Sequence, residues 1–170
     1  MPEPALILLA RAIHVMSGVV WAGGAFVLAF AVVPLFGRNG ADGAGRWLGL
    51  VARRAAALVA PSAALAILSG VYLFGALHHH DDSAGGIVLK TGAAAALLAA
   101  VVGALFNRSV GRKLLQLHEA SSQHAVNSPD TIRQLAAMRM RAVVSVRATA
   151  VLLGVTVLAM ATFRYAAAIV

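Results

Sequence analysis

Residues Ala5 to Phe26 read ALILLARAIHVMSGVVWAGGAF, and no charged residue follows Arg11 before Pro34. About 20 apolar residues cross the ~30 Å hydrocarbon core of a bilayer as a helix, so this stretch is long enough to span a membrane. A single histidine, His14, lies inside it. A fully charged side chain in such a span costs of order 2.5–3.5 kcal/mol on insertion scales. We therefore take His14 as the first candidate functional residue.

The composition is that of a membrane protein. Hydrophobic residues form 61% of the 170 residues and charged residues only 12%, with a mean hydropathy of +0.85, whereas soluble domains carry about 25% charged residues. The absence of cysteine excludes disulfides and thiolate metal sites. A net charge of +8 would suggest nucleic-acid binding in a soluble protein. Membrane topology explains it better here, and no nucleic-acid partner is predicted.

Four apolar segments alternate with polar breaks, roughly over residues 5–36, 48–77, 86–106 and 143–169. The first is too long for a signal-peptide core, so we expect it to be retained. In the long third break, Ser128-Pro129-Asp130 is typical of a helix start, and a tight turn is expected near Val126 and Asn127. The sequence predicts one all-α domain over 1–170. It is a polytopic membrane protein, a four-transmembrane-helix bundle with helices 3 and 4 extended into the cytoplasm.

Basic residues predict the orientation. Eleven of the fourteen lie around the first and third breaks, which must be on the same side of a four-span bundle. The positive-inside rule makes that side cytoplasmic. Both termini then face the periplasm or exterior of a bacterial inner membrane. The eleven residues are Arg38, Arg46, Arg53, Arg54, Arg108, Arg112, Lys113, Arg133, Arg139, Arg141 and Arg147.

The three remaining basic residues, Arg11, Lys90 and Arg164, lie inside or at the edge of spans in the outer leaflet. Three helices thus bring cations to the depth of His14. One interpretation is that each side chain snorkels to the outer surface. The other is that they neutralise an anion beside His14, such as the carboxylates of a bound cofactor.

Helical spacing places Arg11, His14, Gly18, Trp21 and Ala25 on one face of the first span. This face offers a nitrogen ligand, a small residue one turn away and then a large aromatic ring. A flat macrocycle needs that combination, and proteins hold haem iron through axial histidine. The pattern favours a haem site with His14 as ligand to the iron.

A structural role for His14 is the alternative. Histidine in a membrane bundle can hydrogen-bond to a neighbouring helix. The second span offers three partners of suitable chemistry, Ser62, Ser69 and Tyr72.

The segment RAIHVMSGVVWAGGAF at 11–26, with Pro34 ending the span and Val88-Leu-Lys90 opening the third, resembles small bacterial four-helix membrane proteins. These are the HemJ-type protoporphyrinogen oxidases and the related copper-resistance D (CopD) family. The resemblance implies haem b as cofactor and His14 and Lys90 as the catalytic pair. The chain departs from the HemJ pattern at 32–37, which reads VVPLFG, and at 86–88, which reads GIV.

The outer loop holds a second candidate site. His78, His79 and His80, followed by Asp81 and Asp82, carry imidazole and carboxylate groups that suit copper, zinc or nickel. A polar hairpin loop without metal is the alternative interpretation.

Three functions follow from these patterns. The leading one is a haem b membrane oxidoreductase that transfers electrons, with a tetrapyrrole or a quinone as possible partner. The second is copper transport or tolerance through the outer histidines, and the third is a non-catalytic subunit of a membrane redox complex. The chain has one intramembrane histidine, and the small residues Gly18, Gly23 and Gly24 allow close helix approach. Together these two features predict a homodimer in the bilayer.

Overall fold

The computed structural model describes residues 3–36, 44–78, 81–107 and 129–166, and all regular structure in these ranges is helical. Four segments are long and apolar enough to cross a membrane. The prediction of an all-α fold with four membrane-spanning candidates is thereby confirmed, whereas the turn expected near residues 126 and 127 lies outside the described ranges. The helices are α1 (Pro4–Phe26), α2 (Val33–Phe36), α3 (Ala44–Leu77), α4 (Ala84–Val102) and α5 (Pro129–Thr162), with π-helical turns at Val27–Val32 and Gly103–Asn107.

The ends of the helices follow local chemistry. Helix α4 begins before the predicted residue 86 because the hydroxyl of Ser83 caps it, accepting a hydrogen bond from the N–H of Gly86 at 3.1 Å. Helix α5 begins at Pro129, as the Ser-Pro-Asp pattern predicts. It ends at Thr162 rather than near residue 169, since the chain then turns and the N–H of Tyr165 bonds back to the carbonyl of Thr162 at 2.9 Å.

The first span changes its helical form before Pro34. Proline has no N–H to donate and its ring crowds the preceding turn. Just before it, the N–H of Val33 bonds to the carbonyl of Leu28, five residues back, which is the wider π-helical pattern. The span thus continues as a helix into α2. Helix α3 likewise continues through Pro61.

The bundle is built from two helix pairs. Helix α1 packs along α3, and α4 packs along α5; the pairs meet where α1 and the π-helical turn after it contact α5. The central core holds one aromatic ring and one leucine among small side chains, as expected where close packing rather than water exclusion holds helices together. Its buried members are Trp21, Ala25, Ala66, Ala99 and Leu153.

Small residues also set the contact between α4 and α5. A Cβ atom on Gly92 would lie 2.7 Å from the Cβ of Ala159, so only glycine permits this approach. The buried hydroxyl of Thr156 lies 3.1 Å from the carbonyl oxygen of Gly92 and 3.0 Å from that of Leu152. Its single proton is shared between the carbonyl of α4 and that of its own helix, so the hydroxyl links α4 to α5.

Candidate functional site

His14 lies half-buried on α1, turned toward α3. Its Nδ1 is 2.8 Å from the carbonyl oxygen of Ala66. A carbonyl oxygen only accepts hydrogen bonds, so Nδ1 carries the proton. In the neutral ring, Nε2 is then left with a free lone pair. The hydroxyl oxygen of Ser69 lies 3.4 Å from the same Nδ1.

A glycine on α3 makes room for the imidazole. A Cβ atom on Gly70 would lie 2.8 Å from Cε1 and 3.1 Å from Nδ1 of His14. Any side chain at this position would therefore push the ring away from α3. Because Ala66 and Gly70 are one helical turn apart, the bare backbone at Gly70 lets the ring approach the Ala66 carbonyl.

An open apolar groove, with a cavity volume of about 410 Å³, lies between α1 and α3 beside this contact. Ser69 joins the two features, since it lines the groove and lies next to Nδ1 of His14. The groove has apolar walls, and His14 is not itself one of its lining residues. It is lined by Leu6, Leu9, Ala10, Ile13, Leu65, Leu68, Ser69 and Tyr72.

Trp21 and Gly18, which belong to the same predicted face of α1, have different surroundings in the bundle. The indole of Trp21 is buried in the central core with Ala66 and Leu153. Gly18 is half-buried, yet no atom lies within 4 Å of the position that a Cβ would take there. Trp21 therefore supports the helix packing below His14, and open space lies next to Gly18.

The three cations Arg11, Lys90 and Arg164 have different surroundings. Nζ of Lys90 lies 2.6 Å from a carboxylate oxygen of Asp82, with the two side chains 41% and 90% exposed. Arg164 is exposed in the turn after α5, its Cζ 5.8 Å from the ring centroid of Phe163. Arg11 is exposed on α1, one turn before His14. Among the described residues, the hydrogen bonds of the His14 ring go to Ala66 and Ser69 and to none of these three cations.

The described part of the loop between α3 and α4 is organised as a helix start. Two hydrogen bonds from Ser83 hold the pKa of Asp81 below its ordinary value. The bond from the Ser83 side chain has the larger effect, and the bond from its backbone N–H has the smaller one. The ring of His78 packs edge-on against Phe163 at 5.8 Å. No group of three metal-ligating side chains occurs in the described ranges. His79 and His80 lie outside them.

Three residues of α3 lie against the ring of His14. The sequence predicts one of them, Ser69, as a hydrogen-bond partner, and it does not predict the other two, Ala66 and Gly70. Ser62 instead donates to the carbonyl of Leu58 in its own helix. The small residues at 66, 69 and 70 are the sequence signal that points to this contact, because a ring can approach only where the facing helix is bare.

No family model matches the chain, and no curated protein or solved structure shows significant similarity to it.

Proposed function

We propose that this chain is a membrane protein that binds haem b through Nε2 of His14 and transfers electrons. The observation that carries the proposal is the hydrogen bond from Nδ1 to the Ala66 carbonyl. Metal-ligating histidines commonly donate their other ring N–H to a carbonyl or carboxylate, which fixes the tautomer and the ring orientation. The apolar groove beside Ser69 supports the proposal, because it supplies an apolar surface near the imidazole.

In this proposal His14 is the iron ligand, and Ala66, Ser69 and Gly70 orient its ring. A bound haem supplies a one-electron redox centre. The protein's part is to exclude water with apolar walls and to hold the imidazole proton on Nδ1. The resemblance to the HemJ-type and CopD families supports the same cofactor and adds an oxidoreductase role with Lys90.

The absorption spectrum of the purified protein tests the proposal. We expect a Soret band and the reduced α-band of a b-type haem after expression in haem-replete cells. If a second chain supplies the second imidazole, as expected for a homodimer, the iron is low-spin with one haem per two chains. A colourless protein that binds copper instead would favour copper transport. A colourless protein without metal would favour a non-catalytic subunit.

Arg11 is proposed to pair with the acidic groups of the bound haem, because it lies one turn from His14 and is exposed. Lys90 is already paired with Asp82, so its substitution should have the smaller effect. We expect Arg11→Gln to reduce haem retained through gel filtration more than Lys90→Gln and Arg164→Gln do. Equal retention in all three variants and the wild type would assign the cations to snorkelling alone.

The proposed orientation has both termini outside the cytoplasm, based on the eleven-to-three distribution of basic residues and the positive-inside rule. We expect alkaline phosphatase fused after Val170 to be active and green fluorescent protein at the same site to be dark. The opposite pattern would reverse the topology.

A further inference from the structure

Helix α5 carries an exposed stripe that changes from cationic to apolar along its length. Its residues follow one another at three-, four- or seven-residue spacing, so they lie on one face. All are exposed, and we call them the outer stripe: Arg133, Met140, Val144, Arg147, Val151 and Val155.

Arg147 lies inside the apolar part of α5. That part runs over Met140–Thr162, so Arg147 is about 10 Å beyond Met140 at 1.5 Å per residue. Its neighbours on the stripe, Val144 and Val151, are each 59% exposed, which places the arginine among lipid-facing side chains. A charge held there is costly unless it reaches the interface or a counter-charge.

Helix geometry decides which interface Arg147 reaches. Every Cα–Cβ bond in an α-helix tilts toward the helix N-terminus, which in α5 is the end with Arg133 and Arg141. The long arginine stem lets the guanidinium extend along the helix to the membrane surface. Arg147 therefore extends toward the end of α5 that also carries the exposed Arg133 and Arg141.

These arginines have no carboxylate partner in the described part of the chain. The described side chains of α5 include no aspartate or glutamate. Among described residues, the one ion pair joins Lys90 and Asp82 at the other end of the bundle. A cationic, lipid-facing surface that has no counter-charge among the described side chains calls for an anionic partner from the bilayer.

We propose that the outer stripe binds an anionic phospholipid. Its phosphate pairs with the guanidinium group of Arg147, and an acyl chain lies along Val151 and Val155. Guanidinium suits this role because its planar fork donates two parallel hydrogen bonds to phosphate oxygens. This inference does not depend on haem binding.

Native mass spectrometry of the detergent-purified chain, titrated with phosphatidylglycerol or phosphatidylcholine of identical acyl chains, tests the proposal. We expect the wild type to prefer phosphatidylglycerol. Arg147→Gln should weaken binding of that lipid about fivefold, since each basic residue near an anionic surface contributes about 1 kcal/mol. Arg147→Lys should retain part of the preference. Arg164→Gln, at the other end of α5, should leave it unchanged.

Thermal unfolding in phosphatidylcholine nanodiscs shows whether each variant is folded. The site is confirmed if Arg147→Gln unfolds at the wild-type temperature there and loses the added stability that phosphatidylglycerol gives the wild type. Equal wild-type binding of the two lipids would overturn it. So would an undiminished preference in Arg147→Gln, or an equal loss in Arg164→Gln.

Discussion

Replacing Gly70 with alanine is expected to lower the free energy of unfolding by about 1–3 kcal/mol, the usual cost of overpacking a filled contact. The added Cβ would lie 2.8 Å from Cε1 of His14, so α1 and α3 must separate or the ring must turn away. Either response lengthens the hydrogen bond from Nδ1 to the Ala66 carbonyl. Unfolding in micelles with increasing dodecyl sulfate, followed by tryptophan fluorescence, measures the loss.

Gly75→Ala is the matched control in the same helix. No atom lies within 4 Å of the position of its Cβ, and alanine has a higher helix propensity than glycine by about 1 kcal/mol. We therefore expect this variant to be as stable as the wild type or slightly more so. Equal destabilisation by both substitutions would show that the imidazole does not pack against Gly70.

The effect of Gly70→Ala should extend to the cofactor if His14 is the iron ligand. A turned ring loses the partner that fixes its tautomer, and partners of this kind are worth about 10- to 100-fold in metal affinity. Haem content should fall in Gly70→Ala and not in Gly75→Ala. Loss of stability with unchanged haem content would separate the packing role of Gly70 from the proposed site.

The hydropathy of the sequence is sufficient to predict the four long apolar helices, because each needs only enough consecutive apolar residues to cross a bilayer. It did not predict the pairing of α1 with α3 and of α4 with α5. That pairing depends on where single glycines allow backbones to approach, as Gly92 does toward Ala159. Helix ends were also displaced where a local polar group such as the Ser83 hydroxyl supplies a cap.

The candidate site was predictable only in part. The intramembrane position of His14 is visible in the sequence, and so is Ser69 as a neighbour. The main partner is a backbone carbonyl, which every residue has, so no residue type marks Ala66 as the acceptor. The sequence predicts convergence of Lys90 on His14 from depth in the membrane alone, whereas the structure gives Lys90 a carboxylate partner, Asp82.

Loss of the His14 side chain is expected to have the largest effect on cofactor content. His14→Ala removes the proposed iron ligand and one hydrogen bond between helices. Such a hydrogen bond contributes at most about 2 kcal/mol in a membrane. The variant should therefore still insert and fold. His78→Ala is the control, because it also removes a histidine. His78 lies in the turn after α3, and its ring packs against Phe163 and not at the His14 contact.

The most direct measurement is haem per chain in the wild type, His14→Ala and His78→Ala, determined by pyridine haemochrome absorbance on protein purified from haem-replete cells. We expect the wild type and His78→Ala to carry the same amount of b-type haem and His14→Ala to lose most of it. A wild type without haem, or His14→Ala with as much haem as the wild type, would contradict the assignment of His14 as the iron ligand.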